Sequence, residues 1–188
     1  MFRRWQRCDE LVALFLKLAF WHRLQIGSVT TDQGKRGWVY DIQRSTKGTK
    51  YAGKSRYFYL DGVLKASSEA APASHESFVH PSMLAHDDPK SVLAFGSTTG
   101  GIVKEILKHK SVEHVALAGV DKSLLQFARE NLRTWNDCSD LDEGLDQCLD
   151  DPRVQVQYGN PGVWLESNYT MTQNSTSDRF DVVLVDVS

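Results

Sequence analysis

The apolar positions of this chain change their period from stretch to stretch, and each change marks an element. From Ser91 to Phe95 they run almost unbroken, as a short strand buried on both faces requires. Small residues follow from Gly96 to Gly101. Ile102, Val103, Ile106 and Leu107 then recur at helical spacing, up to His109. A second apolar run, Val112 to Val120, is closed by Asp121, and Leu124 to Leu132 is helical again. Val154 to Tyr158 predicts a third strand. Strand, glycine turn, helix, strand and acid make the first half of a doubly wound, Rossmann-like nucleotide-binding sheet.

Upstream the pattern alternates instead. Leu24 to Thr31, Gly37 to Gln43 and Tyr57 to Leu64 predict strands, the last with a tight turn at Asp61-Gly62. Arg44 to Arg56, rich in Lys, Gly and Ser, predicts an exposed hairpin loop, and Ser67 to Ser74 a second loop. Leu11 to Trp21 is apolar apart from Lys17 and follows a basic start. It is shorter than the ~20 residues that span a bilayer, and Asp9, Glu10 and Lys17 interrupt the order of a targeting segment. An amphipathic helix from Asp9 to about His22 is expected, with no membrane partner. The expected organisation is α/β: an N-terminal helix over residues 1–24, a small β domain over 25–70, and a partial Rossmann-like nucleoside-binding domain over 71–188.

Composition adds exclusions. A net charge of −2 over 188 residues gives no electrostatic case for nucleic acid. Cys8, Cys138 and Cys148 form no C-x-x-C pair, so free thiols in a reducing, cytoplasmic setting are expected. His75, Glu76 and His80 read H-E-x-x-x-H, one residue too long for two histidines on one helical face, so no metal site is expected. The acidic stretch Thr134 to Asp151 predicts a solvated loop with a short helix near Leu145 to Leu149.

The glycine turn carries the candidate chemistry. Glycines let a ligand approach the backbone, the next helix offers unpaired N–H groups, and an acid after the second strand can accept from ribose hydroxyls. The turn departs from G-x-G-x-x-G because Thr98 holds the second glycine position. It departs from a P-loop because Ile102, not Lys, follows Gly101.

An ordered set of segments narrows the reading. Tyr59-Leu60-Asp61-Gly62-Val63-Leu64, His75-Glu76-Ser77-Phe78-Val79-His80-Pro81, Pro89-Lys90-Ser91-Val92-Leu93, Gly100-Gly101 and Lys104-Glu105-Ile106-Leu107-Lys108-His109 come in this order. The set resembles the polyamine aminopropyltransferases, the spermidine, spermine and thermospermine synthases, from about Gln25 onward. The resemblance implies a methyltransferase-like sheet. It also implies aminopropyl transfer from decarboxylated S-adenosylmethionine, a co-substrate and not a prosthetic group, to putrescine or spermidine. It implies pairing through the N-terminal region, as a homodimer or with an intact synthase.

The same resemblance assigns nucleoside contacts to Gln25, Gly96, Thr99, Gly100, Gly101, Gly119, Asp121 and Asn160, and polyamine contacts to His75 and Glu76. It also exposes departures. Thr99, Gly119 and Asn160 stand where the family has acids, Ser74 stands where it has an aromatic, and of an acidic pair only Glu69 remains. Each buried ligand group left unpaired costs ~1–3 kcal/mol. Asp186 matches the first Asp of the family's Asp-x-x-Asp-Pro, and the catalytic Asp would be the residue after Ser188, so no catalytic residue is assigned. The expectation is an incomplete or inactive aminopropyltransferase. The alternatives are a catalytically dead partner of an active synthase and an S-adenosylmethionine-dependent methyltransferase.

Overall fold

The computed structural model describes residues 21–44, 54–96, 99–168 and 179–186. The elements run β1 (Trp21–Thr30), β2 (Arg36–Arg44), β3 (Lys54–Leu60), β4 (Val63–Ser67), α1 (Ala71–Leu84), β5 (Ser91–Phe95) and α2 (Gly101–Leu107). They continue with β6 (His114–Val120), α3 (Lys122–Asn131), α4 (Arg133–Asn136), a 3-10 turn (Cys148–Asp150), β7 (Val154–Tyr158), α5 (Pro161–Asn168) and β8 (Val182–Val185). The fold is mixed α/β, as the patterning predicts.

Two sheets result. The first four strands form an antiparallel meander in the order β1-β2-β3-β4. The others form a parallel sheet in the order β7-β6-β5-β8. Chain order runs one way from β5 to β7 and then returns to the other side of β5 with β8. That reversal makes the carboxyl ends of β5 and β8 a topological switch point, where such sheets bind ligands.

Alternation decides what each face of the parallel sheet buries. Val92, Ala94, Val115, Leu117, Val182 and Leu184 pack with Val79 and Met83 of α1 and Val103 and Ile106 of α2. Leu93, Ala116 and Ala118 point the other way, towards Trp164 and Leu165 of α5. Among the described residues β8 has one strand neighbour, and Val183 and Val185 on it are each 52% exposed. A separate core joins the two sheets: Val39 and Phe58 of the meander pack on Leu124, Phe127 and Ala128 of α3.

Polar contacts fasten the same interface. Asp41, 2% exposed, takes two hydrogen bonds from Arg56, at 2.7 Å from Nε and 2.9 Å from Nη2. The Arg56 guanidinium holds the Asp41 carboxyl below the usual carboxylate range, against the opposing effect of burial. Arg56 Nη1 also donates to the Asn131 carbonyl at the end of α3, at 2.6 Å.

Several local expectations need correction. β1 reaches back to Trp21, so a helix cannot run to His22 or to residue 24; residues 1–20 lie outside the described residues. The same holds for residues 45–53 of the expected basic loop. The expected loop to Ser74 is already helical from Ala71, with Pro72 in the first turn, where its missing N–H costs nothing.

The acidic stretch is a loop whose carboxylates from Asp137 to Asp150 are exposed, as expected, but it is anchored to the core. Trp135, Asn136, Cys138, Cys148 and Leu149 are buried, and a disulfide joins Cys138 to Cys148. The free thiols expected at these two positions are therefore corrected. An antiparallel bridge between Asp137 and Gln147 brings the two cysteines together without any C-x-x-C spacing. Lys104 of α2 ties the segment down through the Asp137 carbonyl at 2.7 Å and Asp140 Oδ1 at 2.8 Å. The expected helix near Leu145 is the 3-10 turn at Cys148–Asp150. No helix among the described residues is long and apolar enough to cross a membrane.

The disulfide closes a short loop between positions 10 apart. The chain-entropy model gives such a closure about 3 kcal/mol. Replacing Cys138 and Cys148 together by Ser lowers the urea midpoint accordingly. An unchanged midpoint contradicts the bond.

Candidate functional site

A cleft of about 340 Å³ opens between the two sheets at the carboxyl ends of β5, β6 and β8. Its parallel-sheet wall carries Gly96, Thr99, Gly119, Asp121 and Asp186, α1 contributes His75, and the meander supplies the opposite wall. Six sequence-predicted positions thus meet in one space: Gly96, Thr99, Gly119, Asp121, His75 and Asp186.

The glycines here make room for protein. Gly96 ends β5 with φ at 81°, and a Cβ on it would strike the Asp186 carbonyl at the end of β8. The absence of that Cβ lets the two strand ends close at the switch point. Gly101 is buried under the His75 ring, which occupies the place of a Cβ. Gly100, also buried, lies against Asn136, and neither Gly100 nor Gly101 lines the cleft. Gly119 sits in a bulge of β6 with φ at 76°, and a Cβ there would come to 3.1 Å of Pro161. That backbone conformation disfavours a side chain, so an acid at this place would need a rearranged strand.

Asp121, the acid expected to meet a ribose, is structural in its own right. As N-cap of α3 it accepts from Leu124 N–H at 2.9 Å, and its other oxygen accepts from Asp32 N–H at 2.7 Å. Asp32 answers by accepting from Lys122 N–H at 3.1 Å and the Ser123 hydroxyl at 2.6 Å. The Ser123 hydrogen bond holds the Asp32 carboxyl below its ordinary value. Each Asp121 oxygen keeps a further lone pair for a ligand hydroxyl.

Other predicted contacts lie elsewhere. Gln25 is exposed on β1 and does not line the cleft; the register shift after it leaves Ile26 as the extra residue. Asn160 is exposed and caps α5, its Oδ1 accepting from Gly162 N–H at 2.8 Å and Val163 N–H at 3.3 Å. Glu76 is exposed, 4.0 Å from Lys108. Glu69 accepts from the Ser55 hydroxyl at 2.7 Å and the Tyr57 hydroxyl at 3.2 Å, away from the cleft.

His75 differs from an ordinary surface histidine. Burial pushes its pKa down, and the charges of Glu105 and Asp186 only partly oppose this. Behind it Glu105, 5% exposed, is held by Lys108 at 2.7 Å and His80 at 3.1 Å. His80 in turn shares a hydrogen bond with His109 at 2.9 Å. The meander wall includes Thr31, Gln33, Lys35, Phe58 and Lys65, none of which the sequence marks as site residues. For Thr31, Gln33 and Lys35 the local signal is the turn after β1, while Phe58 and Lys65 lie on β3 and β4. What brings them to the cleft is docking across 89 residues of chain, as in the Asp32–Asp121 contact.

Comparison with known proteins gives a consistent picture. The family model described as "Spermine/spermidine synthase domain" matches residues 71–188. The polyamine aminopropyltransferase of Thermoanaerobacter sp. (strain X514) is 36% identical over 131 residues, covering 70% of this chain and 41% of that protein. That of Aeropyrum pernix is 33% identical over 138 residues, covering 73% and 39%. The spermidine synthase structure from Thermotoga maritima superposes with a TM-score of 0.64 at 27% identity, over 87% of this chain and 47% of that one. A spermidine synthase in complex with the transition-state analogue AdoDATO gives the same score and identity. The chain spans less than half the length of each of these proteins.

The environment of His75 sets a pH dependence. Its pKa is lower folded than unfolded, so the unfolded chain takes up the proton more readily and stability rises with pH. The contribution of neutral His75 is full above the ordinary value of about 6.5 and is lost as pH falls through the folded pKa. His109, lowered by burial and by the charge of His80, acts in the same direction. The melting midpoint therefore falls below about pH 6.5. His75→Gln makes that slope shallower, and an unchanged slope contradicts the assignment.

Proposed function

The chain belongs to the spermine/spermidine synthase family, and on that premise we propose that its cleft binds an adenine nucleoside while these residues do not themselves carry out aminopropyl transfer. The observation that supports binding is the meeting of Gly96, Thr99, Gly119, Asp121 and Asp186 in one cleft at the switch point of the parallel sheet.

The argument against transfer is chemical. A neutral amine must attack the carbon next to the sulfonium, methylthioadenosine must leave, and the new ammonium must lose a proton to a base. A cationic substrate also needs carboxylates to bind it. Thr99 and Gly119 carry no charge, Asn160 caps a helix, and Glu69 and Glu76 stand outside the cleft. In this reading the chain is a binding homologue that pairs with an active synthase, and co-purification of the two is the corresponding observation.

One arrangement favours a second reading in which transfer is retained. His75 shares the cleft with Asp186 and is biased towards its neutral form by burial. Such a pair is able to take the proton from the attacking amine.

A thermal melt decides the first point. Methylthioadenosine at 100 times its dissociation constant adds ~2.7 kcal/mol and raises the midpoint by several degrees. With decarboxylated S-adenosylmethionine and putrescine or spermidine, no methylthioadenosine is released. A cooperative melt that no nucleoside shifts overturns the binding reading. Turnover replaces it with the second reading.

A further inference from the structure

Lys35 and Lys65 also line the cleft. Both belong to the meander wall, whereas Asp121 and Asp186 belong to the wall of the parallel sheet. Neither ammonium is held in an ion pair among the described residues.

The backbone commits both lysines to this place. β4 pairs Ala66 with Phe58 and Leu64 with Tyr59, which leaves Lys65 as the extra residue of a bulge. In a regular strand Lys65 and Ala66 would face opposite ways; here both line the cleft. Lys35 closes the turn after β1. Its N–H donates to Thr31 Oγ1 at 3.0 Å, and its carbonyl accepts from Thr31 N–H at 2.8 Å. The hydrogen bonds of Asp32 with Asp121, Lys122 and Ser123 fix that turn to α3.

The charge pattern is wrong for a polycation. Two lysines offset two aspartates on the lining, and His75 adds no fixed charge. A polyamine, or a nucleoside whose side chain carries only a sulfonium and an ammonium, meets repulsion from one wall. A ligand that also carries an anion satisfies both walls: its anion meets the ammonium groups and its hydroxyls or ammonium meet the carboxylates.

We propose that the cleft takes an adenine nucleoside bearing an anionic group, a carboxylate or a phosphate, held by Lys35 and Lys65, in preference to a purely cationic nucleoside or a polyamine. The proposal rests on the nucleoside reading above and names the ligand class of the same site.

Calorimetric titration of the full chain with four probes tests it: methylthioadenosine, decarboxylated S-adenosylmethionine, S-adenosylhomocysteine and adenosine 5′-monophosphate. The expected result is that at least one anionic probe binds about tenfold more tightly than both others, as one charge-assisted contact provides. S-adenosylhomocysteine against the monophosphate tells carboxylate from phosphate. The gain shrinks with added salt in the unaltered protein and disappears in Lys35→Ala/Lys65→Ala. If the neutral or cationic probe binds as tightly as both anionic ones, the proposal is overturned and the nucleoside reading stands. If the protein melts cooperatively and binds none of the four, the nucleoside reading itself falls, and the proposal with it.

Discussion

The cleft exists because the antiparallel sheet is fastened to α3, and the fastening is electrostatic at both ends of that helix. At its start, Asp32 N–H donates to Asp121 and the Asp32 carboxylate accepts from Lys122 N–H and the Ser123 hydroxyl, placing carboxylates where the helix dipole is positive. At its end, the Arg56 guanidinium meets the Asn131 carbonyl, where the dipole is negative. The same guanidinium pairs with the buried Asp41 inside the meander, where Lys54 Nζ also meets Asp41 Oδ2 at 2.6 Å. Arg56 therefore links the β2–β3 pairing to the end of α3. The Asp32 latch governs where the first turn, and with it Lys35, sits over the site.

This geometry alters what the family resemblance can be taken to mean. The glycines of the turn appear in the sequence as a ligand cradle. In the structure Gly96 admits the Asp186 carbonyl and Gly101 admits the His75 ring, so both close the protein upon itself. Asp121 is bound into the cap and latch before any ligand arrives. The lost acids are not matched by new ones: the wall that faces Asp121 contributes lysines. On the proposed reading, the scaffold of the site persists while two lysines and two aspartates share its lining.

Much of this was legible in the sequence, for a local reason. β5 and β7 fall on the predicted residues, because an apolar run in β5 and apolar–polar alternation in β7 are each bounded by turn residues. Gly96, Thr99, Gly119, Asp121 and Asp186 converge because they follow strands whose parallel order the pattern already implies. The misses are long-range. Lys65 reaches the cleft through a bulge and Lys35 through a latch to α3, and neither leaves a periodic trace. The bulge after Gln25 is equally silent. The acidic stretch misled because its carboxylates from Asp137 to Asp150 are exposed while Trp135, Cys138, Cys148 and Leu149 are buried and a disulfide shuts the loop.

The central claim is that this cleft is an adenine-nucleoside site whose one remaining clamp acid is also a structural cap. A crystal structure with methylthioadenosine bound tests it most directly. The account predicts ribose hydroxyls within hydrogen-bond distance of Asp121, between Gly96 and Gly119, with the hydrogen bonds of Asp32 to Asp121, Lys122 and Ser123 intact. Nucleoside seated outside the cleft, or bound only after that latch has opened, would contradict it.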